Sequence, residues 1–488
     1  MLTDRPRGFR DLAKISGRCW FRRVGAPART YLPPVGLALA TLLSASCETT
    51  TEVALRADSL VVRPASVVVM VDSAVRVSAR AFGRDTAIAF YLADTTVARG
   101  VGGSVTGVAI GTTDLLVAAD TILVHVPITV VERLAEIRPS ETQSCAQAVD
   151  GRMECWGAGS LGVPYLVGGF RRFRSVATGA DGACGLGADS AVYCHGSTVL
   201  GTGLVYSDTS VRVTDPSSFA QVVAGLSFAC ALTTGGQVRC WGEDEYVMGQ
   251  NTLVQTPINP VPSFTFARLA AGYAHVCGLT NGGAVYCWGD NYLGETGDTA
   301  TAVAYSLTPF PVQGLAAVTG IAAQNYHTCA LTSGGDAWCW GDNWAGQLGD
   351  TIGTGCQYSR DALLRGENFA NRCSLTPIKV PGGHHFTALA VGNNETCGLD
   401  ASGQLWCWGD NSLGQFGNGG TSGGGPVPQA AAVSLRFTSI GGGADAMCGV
   451  AADGRGYCWG ADGSDHILGQ PGKPDSIRTT PTAVAFQP

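Results

Sequence analysis

Fourteen of the 18 cysteines in this 488-residue chain fall into seven pairs, each ten residues apart. They are Cys145 with Cys155, Cys184 with Cys194, Cys230 with Cys240, Cys277 with Cys287, Cys329 with Cys339, Cys397 with Cys407, and Cys448 with Cys458. Thiols at a fixed spacing can bridge to one another or hold a metal. Folding each pair into a hairpin sets its two cysteines opposite one another across a three-residue loop. Opposed Cα atoms then lie about 4.5–5.5 Å apart, within reach of a disulfide. Such a loop commonly needs a left-handed residue at its third position, where glycine costs least. Those positions hold Gly151, Ser190, Gly236, Gly283, Gly335, Gly403 and Gly454, so the register is supported independently of the cysteines. Each hairpin offers only one pair, and hairpins that fan outward do not bring four thiolates together, so no metal is expected. Paired cysteines at this density imply an oxidising compartment.

Other residues that could do chemistry are fewer. His275 and His327 stand two places before a cysteine, where other repeats hold Gln143, Gly182, Phe228, Glu395 and Ala446. A ring of ligands would not vary in this way, so the expected role is structural. Asp290-Asn291, Asp342-Asn343 and Asp410-Asn411 suit turn capping better than calcium. His384-His385 has no acid or cysteine nearby, and the glycine-rich stretch 419–425 lacks the lysine of a phosphate loop. Neither a nucleophile elbow nor a triad is present, so the chain reads as a non-enzyme without a cofactor. One interval breaks the rhythm: Cys329 to Cys397 is 68 residues, against 39–52 elsewhere. It carries its own pair, Cys356 and Cys373, expected to bridge and to fix a loop containing Tyr358, Arg360, Phe369 and Arg372. Tyr246, Tyr292 and Trp344 follow the Trp-Gly steps of this and two earlier repeats. Aromatic residues and arginine dominate binding hot spots, so these seven residues form the candidate partner surface.

The elements that must position these residues repeat with them. An apolar and small-residue segment precedes each hairpin, as in Phe219-Ala-Gln-Val-Val-Ala-Gly, and suits a crowded inner strand. A proline-flanked segment follows, as in Thr376-Pro-Ile-Lys-Val, and suits an edge. Four strands per repeat with radial repetition is the propeller pattern. Cys277-Gly-Leu-Thr-Asn-Gly-Gly-Ala-Val-Tyr-Cys-Trp-Gly-Asp-Asn-Tyr-Leu-Gly-Glu-Thr-Gly-Asp resembles the regulator-of-chromosome-condensation repeat. So does His327-Thr-Cys-Ala-Leu followed by Cys339-Trp-Gly-Asp-Asn-Trp-Ala-Gly-Gln-Leu-Gly-Asp. The resemblance implies a seven-bladed β-propeller over 134–488. The second repeat has His195-Gly196 in place of Trp-Gly and is the most degenerate.

Residues 52–131 are cysteine-free and alternate like strands, as in Val75-Arg-Val-Ser-Ala and Ile122-Leu-Val-His-Val. Their segment from Asp94 to Thr113 resembles the bacterial Ig-like domain of group 2, which implies a small β-sandwich used as a spacer. The fold class expected for the whole is therefore all-β, a seven-bladed β-propeller preceded by a small Ig-like β-sandwich. Residues 1–46 read as an export signal, with eight Lys or Arg, the apolar run Val35–Leu43 and small residues before Cys47. This resembles a bacterial lipoprotein signal, which implies lipidation of Cys47 and a linker over 47–51. Cleavage after Ser46 by ordinary signal peptidase, an uncleaved anchor, and translation from near Val24 are the competing readings. The rest of the chain carries about 13 more acids than bases, which argues against nucleic acid as a partner. The expected protein is exported to the outer membrane, cell surface or periplasm, touches membrane only through a lipid anchor, and is monomeric. Its expected role is a scaffold binding a protein or another cell-envelope polymer. The alternatives are a secreted enzyme inhibitor, a carbohydrate-active propeller and, by family analogy, a nucleotide-exchange factor.

Overall fold

The computed structural model describes residues 59–484, except 83–86, 110, 158–159, 161–164, 170, 181, 198–200, 202–205, 251, 300–304, 352–371, 432–433, 464–465 and 470–475. The expected signal, the linker, Cys47, Cys356, Tyr358, Arg360 and Phe369 lie outside the described residues. The chain divides into two compact units, Met1–Val131 and Glu132–Pro488.

The described part of the first unit is all strand and turn. One sheet has the order Val67–Met70, Ile122–Val131, Gly111–Ala119, Ile88–Leu92. A second joins Ala74–Arg76, Ser104–Gly107 and Ala98–Val101, and a third pairs Ser59–Arg63 with Ser78–Phe82. The period-two pattern decides which side chains enter: Val126, Ile128 and Val130 are buried while Pro127 between them is exposed. They share one core with Val69, Val105, Leu115 and Val117.

The second unit contains seven four-stranded sheets among the described residues, within 134–167, 173–212, 219–258, 268–311, 318–379, 386–430 and 437–483. Each is a sequential antiparallel meander. In the third sheet the strands are Phe219–Ala224, Phe228–Thr233, Val238–Gly242 and Val254–Ile258. The two middle strands are the cysteine hairpin, with Cys230 opposite Cys240, and the other six sheets use the same register.

The seven pairs ten residues apart are disulfides, and of the eighth expected pair Cys356 lies outside the described residues. Cys145 is bonded to Cys155, Cys184 to Cys194, Cys230 to Cys240 and Cys277 to Cys287. Cys329 is bonded to Cys339, Cys397 to Cys407 and Cys448 to Cys458. One correction concerns their spacing. The Cα atoms are 4.0–4.1 Å apart, shorter than the distance expected from sequence, and this holds for Cys194, Cys287, Cys407 and Cys458 with their partners as for the other three pairs. Counting outward from the turn explains it. Ala148 N bonds Arg152 O, and alternation then places Cys145 and Cys155 at a non-hydrogen-bonded pair, where strands approach most closely. All seven third loop positions have positive φ, Ser190 included at 65°.

Neighbouring sheets touch through their first strands, and the first strand of the last sheet, Phe437–Gly442, packs on that of the first, Leu134–Pro139. The Trp-Gly step provides a second link. Trp340 Nε1 donates to Glu295 O of the preceding sheet at 2.9 Å, Trp408 Nε1 to Gln347 O at 2.8 Å, and Trp459 Nε1 to Gln415 O at 2.7 Å. Trp156 of the first sheet donates to Ile467 O of the last at 2.8 Å, which ties the two ends of the series together. The repeat's tryptophan and its glycine-bounded Gln or Glu are thus halves of one contact made between successive copies. All six indoles of the Trp-Gly steps are fully buried, and the Nε1 of Trp288 has no hydrogen-bond partner among the described residues.

Candidate interaction face

In a four-stranded meander the first turn and the third connection lie at one end, and the cysteine hairpin turn lies at the other. The post-Trp-Gly loops therefore share an end with the turns that precede the first cysteines. Direct bonds tie them: Asp290 N donates to Ala274 O, Asp342 N to Tyr326 O and Asp410 N to Asn394 O, each at 2.8 Å.

Each Asp-Asn step folds its own loop. Asp290 Oδ1 accepts from Tyr292 N at 3.1 Å. Asn291 Oδ1 accepts from Thr296 N at 3.1 Å, while its amide donates to Asp298 O at 3.1 Å. Asn343 and Asn411 repeat the arrangement with Leu348 N at 3.0 Å and Phe416 N at 2.9 Å. His275 and His327 are fully buried, and burial pushes both down to about 3. Their Nε2 atoms meet Thr328 Oγ1 at 2.8 Å and Thr396 Oγ1 at 2.9 Å, each on the following sheet. Gly272 makes room for this, since a Cβ there would stand 2.1 Å from the His275 ring. His195 occupies the tryptophan place of the second sheet, lies near Cys145 and Cys155, and is pushed down to about 4 by burial. Both sulfurs are already bonded to each other, so they are not free as metal ligands.

The RCC1 repeat, described as the regulator of chromosome condensation repeat, matches residues 219–250, 266–295, 318–347 and 386–415. The chain carries RCC1 repeats. A mitochondrial RCC1 domain-containing protein of Arabidopsis thaliana, RUG3, is 28% identical over 172 residues, 35% of this chain and 34% of that protein. The guanine nucleotide exchange factor SRM1 of Saccharomyces cerevisiae is 30% identical over 116 residues, 21% of this chain and 24% of that one. The chain thus spans about a third or less of the length of these two relatives. Among solved structures, Prp20p of Saccharomyces cerevisiae, examined for its binding to Gsp1p and histones, superposes with a TM-score of 0.56 at 21% identity. That match covers 72% of this chain and 87% of the other. The repeated four-stranded sheets are those of an RCC1-type β-propeller.

The RCC1 loops bring together some of the expected surface residues. Tyr246 meets Tyr292 edge-on at 6.4 Å and Tyr305 at 5.3 Å. Trp344 is 54% exposed, and the Arg372 guanidinium lies 3.2 Å from its ring centroid. Cys373 is disulfide-bonded, with its partner outside the described residues. The sequence reading missed the turns around the axis. At the fourth position before the first cysteine, backbone amides hand hydrogen bonds across four of the seven junctions between sheets: Ala180 N to Leu226 O, Leu226 N to Tyr273 O, Tyr273 N to Asn325 O, Asn393 N to Ala444 O. The side chains at this position and the next, among them Glu141, Tyr273, Asn325, Tyr326, Asn393 and Asp445, line a cavity of about 220 Å³. Aligning the repeats on their cysteines would have drawn this ring.

The two ends differ in charge pairing. At the hairpin end acids meet bases: Arg152 Nε is 2.9 Å from Asp150, and Lys379 is 2.8 Å from Asp336. Asp150, despite some burial, is held below its usual range by the backbone and guanidinium of Arg152. At the loop end burial pushes Asp244 and Asp342 up to about 6. Glu295 is raised well above 4.5 by burial and then by the Asp290 charge.

Proposed function

We propose that this chain is an exported binding scaffold whose seven-bladed propeller engages a protein or another envelope macromolecule through its loop end. The observation that carries this is the exposed Trp344 stacked by Arg372, on a loop whose other polar residues are turned inward. An indole held by a guanidinium offers a large rigid contact at low ordering cost, the property of interface anchors. The tyrosine cluster on the two preceding sheets adds a second anchor of the same kind. Titratable groups at this end serve turns and inter-sheet contacts, so binding fits it better than catalysis. An RCC1-type propeller of yeast examined for binding to Gsp1p and histones supports the same class of function.

In this reading the first unit is an Ig-like β-sandwich that acts as a spacer, and Cys47 is the lipidated residue that anchors it. The seven disulfides support an oxidising location. The protein acts as a monomer. The test is affinity capture from envelope extracts with the lipid-free protein, its Trp344→Ala/Arg372→Ala variant and a variant lacking 356–373. Partners retained unchanged by both variants would remove the loop end from consideration. Labelled palmitate that still enters a Cys47→Ser variant would remove the anchor.

A further inference from the structure

We propose that the axial mouth at the loop end is a receptor for a cationic side chain, a lysine ammonium or arginine guanidinium presented by a partner polypeptide. The proposal rests on the loop end being the binding face and names the chemistry it selects. Four features argue for it.

The mouth is a formed cavity. Four of the junctions around it are joined by the amide bonds described above, and an open space remains between its lining side chains. Its lining combines three groups that attract organic cations. Tyr273 and Tyr326 stack at 5.1 Å with 29° between their planes, which presents ring faces. Glu141 and Asp445 supply carboxylates, and Asn325 and Asn393 supply amide oxygens. Among the described residues, none that lines the mouth is Lys, Arg or His.

The field at the mouth is negative from several sides. Burial raises the Tyr326 phenol, and Tyr273, Glu295, Asp290 and Glu141 raise it further. Burial and Asp410 raise Asp445. Behind the same wall, Glu395 is fully buried, its Oε1 has no hydrogen-bond partner, and a Cβ on Gly392 of the mouth turn would stand 2.0 Å from that oxygen. A cation entering the mouth meets the Glu141 and Asp445 carboxyls with no base among the described lining residues to offset them.

The geometry also limits the ligand. A cavity of about 220 Å³ takes one side-chain head with its last methylenes and not a folded element. The partner therefore contributes a single protruding basic residue, while the Trp344 and tyrosine patches hold the flanking surface.

The test measures binding of a fluorescein-labelled Gly/Ser peptide bearing a central Lys-Arg pair, by anisotropy at physiological ionic strength, with a Glu-Glu peptide of equal length as comparison. Four proteins are titrated: the full chain, Glu141→Gln/Asp445→Asn, Tyr326→Leu, and Asp336→Asn/Asp453→Asn at the hairpin end. The last removes the same formal charge as the mouth pair. The expected result is saturable binding of the basic peptide only, weakened about tenfold by the mouth pair and by Tyr326→Leu, and changed less than about twofold by the hairpin-end pair. Thermal melting of each variant establishes that it is folded. Equal weakening by both charge pairs would reduce the effect to the acidity of the whole chain and overturn the proposal. So would unchanged binding to the mouth pair. Capture of an envelope partner lost in Trp344→Ala/Arg372→Ala but kept in the mouth pair would overturn the mouth alone and leave the loop-end reading standing.

Discussion

Replacing Glu295 by glutamine is expected to stabilise the propeller, and to do so more as pH rises. The equivalent residue on the next sheet gives the reason. Gln347 accepts from Ala345 N at 2.9 Å through Oε1 and donates through Nε2 to Asp342 Oδ2 at 2.9 Å. Glu295 makes the first contact, accepting from Leu293 N at 2.8 Å, but has no amide for the second. Its Oε1 is buried without a partner, and after burial itself the Asp290 carboxyl acts on it most. Asp342, Asp244 and Tyr326 add no positive charge to this neighbourhood. A buried acceptor without a donor costs about 1–3 kcal/mol, and a restored bond to a carboxylate recovers a similar amount. The sign follows from Glu295 being raised in the folded state. Folded protein holds that proton more tightly than unfolded, so stability is full below 4.5 and is lost as pH climbs through the raised value. Glu295→Gln carries no such loss. Its advantage is therefore near zero at about pH 4.5, where the protonated acid can itself donate, and about 1–3 kcal/mol at about pH 9. Melting temperature measured against pH reads this as a gap opening by roughly 2–4 °C. The reciprocal Gln347→Glu should reproduce the penalty. A gap that stays flat across pH, or a glutamine variant less stable at high pH, would refute the carboxyl-pair argument.

Removing one bridge, by Cys277→Ser together with Cys287→Ser, should cost about 2–3 kcal/mol by chain entropy and leave the fold intact, read as a lower denaturant midpoint with unchanged cooperativity. His275 and His327 are depressed by burial, so their stability is full above 6.5 and drains as pH falls toward about 3. The slope should approach about 1.4 kcal/mol per pH unit for each histidine, and His275→Gln/His327→Gln should flatten it in acid denaturation curves.

The hairpins were legible because two independent signals marked one register: the cysteine spacing and the glycine at the third loop position. The inner and edge strands were legible from composition, as Phe219–Ala224 and Cys373–Lys379 illustrate. The partnership of Trp340 with Glu295 was not, because it joins residues of successive copies whose separation varies with each loop. The histidines' partners Thr328 and Thr396 were not legible, because they lie on the next sheet and only the fold brings them within reach. The axial ring was missed for a different reason. Its residues share no type, running from Glu141 through Leu226 and Tyr273 to Asn393, and a pattern defined by position rather than chemistry is invisible to a search for repeated residues.

These contacts also frame a test of how far the chain can change around the fifth sheet. The links described for the fifth sheet lie within 318–350 and 373–380: Trp340 to Glu295 O behind, His327 to Thr396 ahead, and the Cys329–Cys339 bridge between. None of these links uses the stretch 352–371. A variant that replaces it with a short Gly/Ser connection, with Cys373→Ser, should therefore lose no more than the about 2–3 kcal/mol of the Cys373 bridge, since loop length itself enters stability only logarithmically. Asn343 N would keep its 2.6 Å bond to Arg372 O, and with it the stacked Trp344. Circular dichroism melting and protease resistance check this. If unfolding instead became broad, or the fifth and sixth sheets lost protection in hydrogen exchange, the insertion would be part of the fold, and a binding defect in its deletion could no longer be assigned to a lost contact surface.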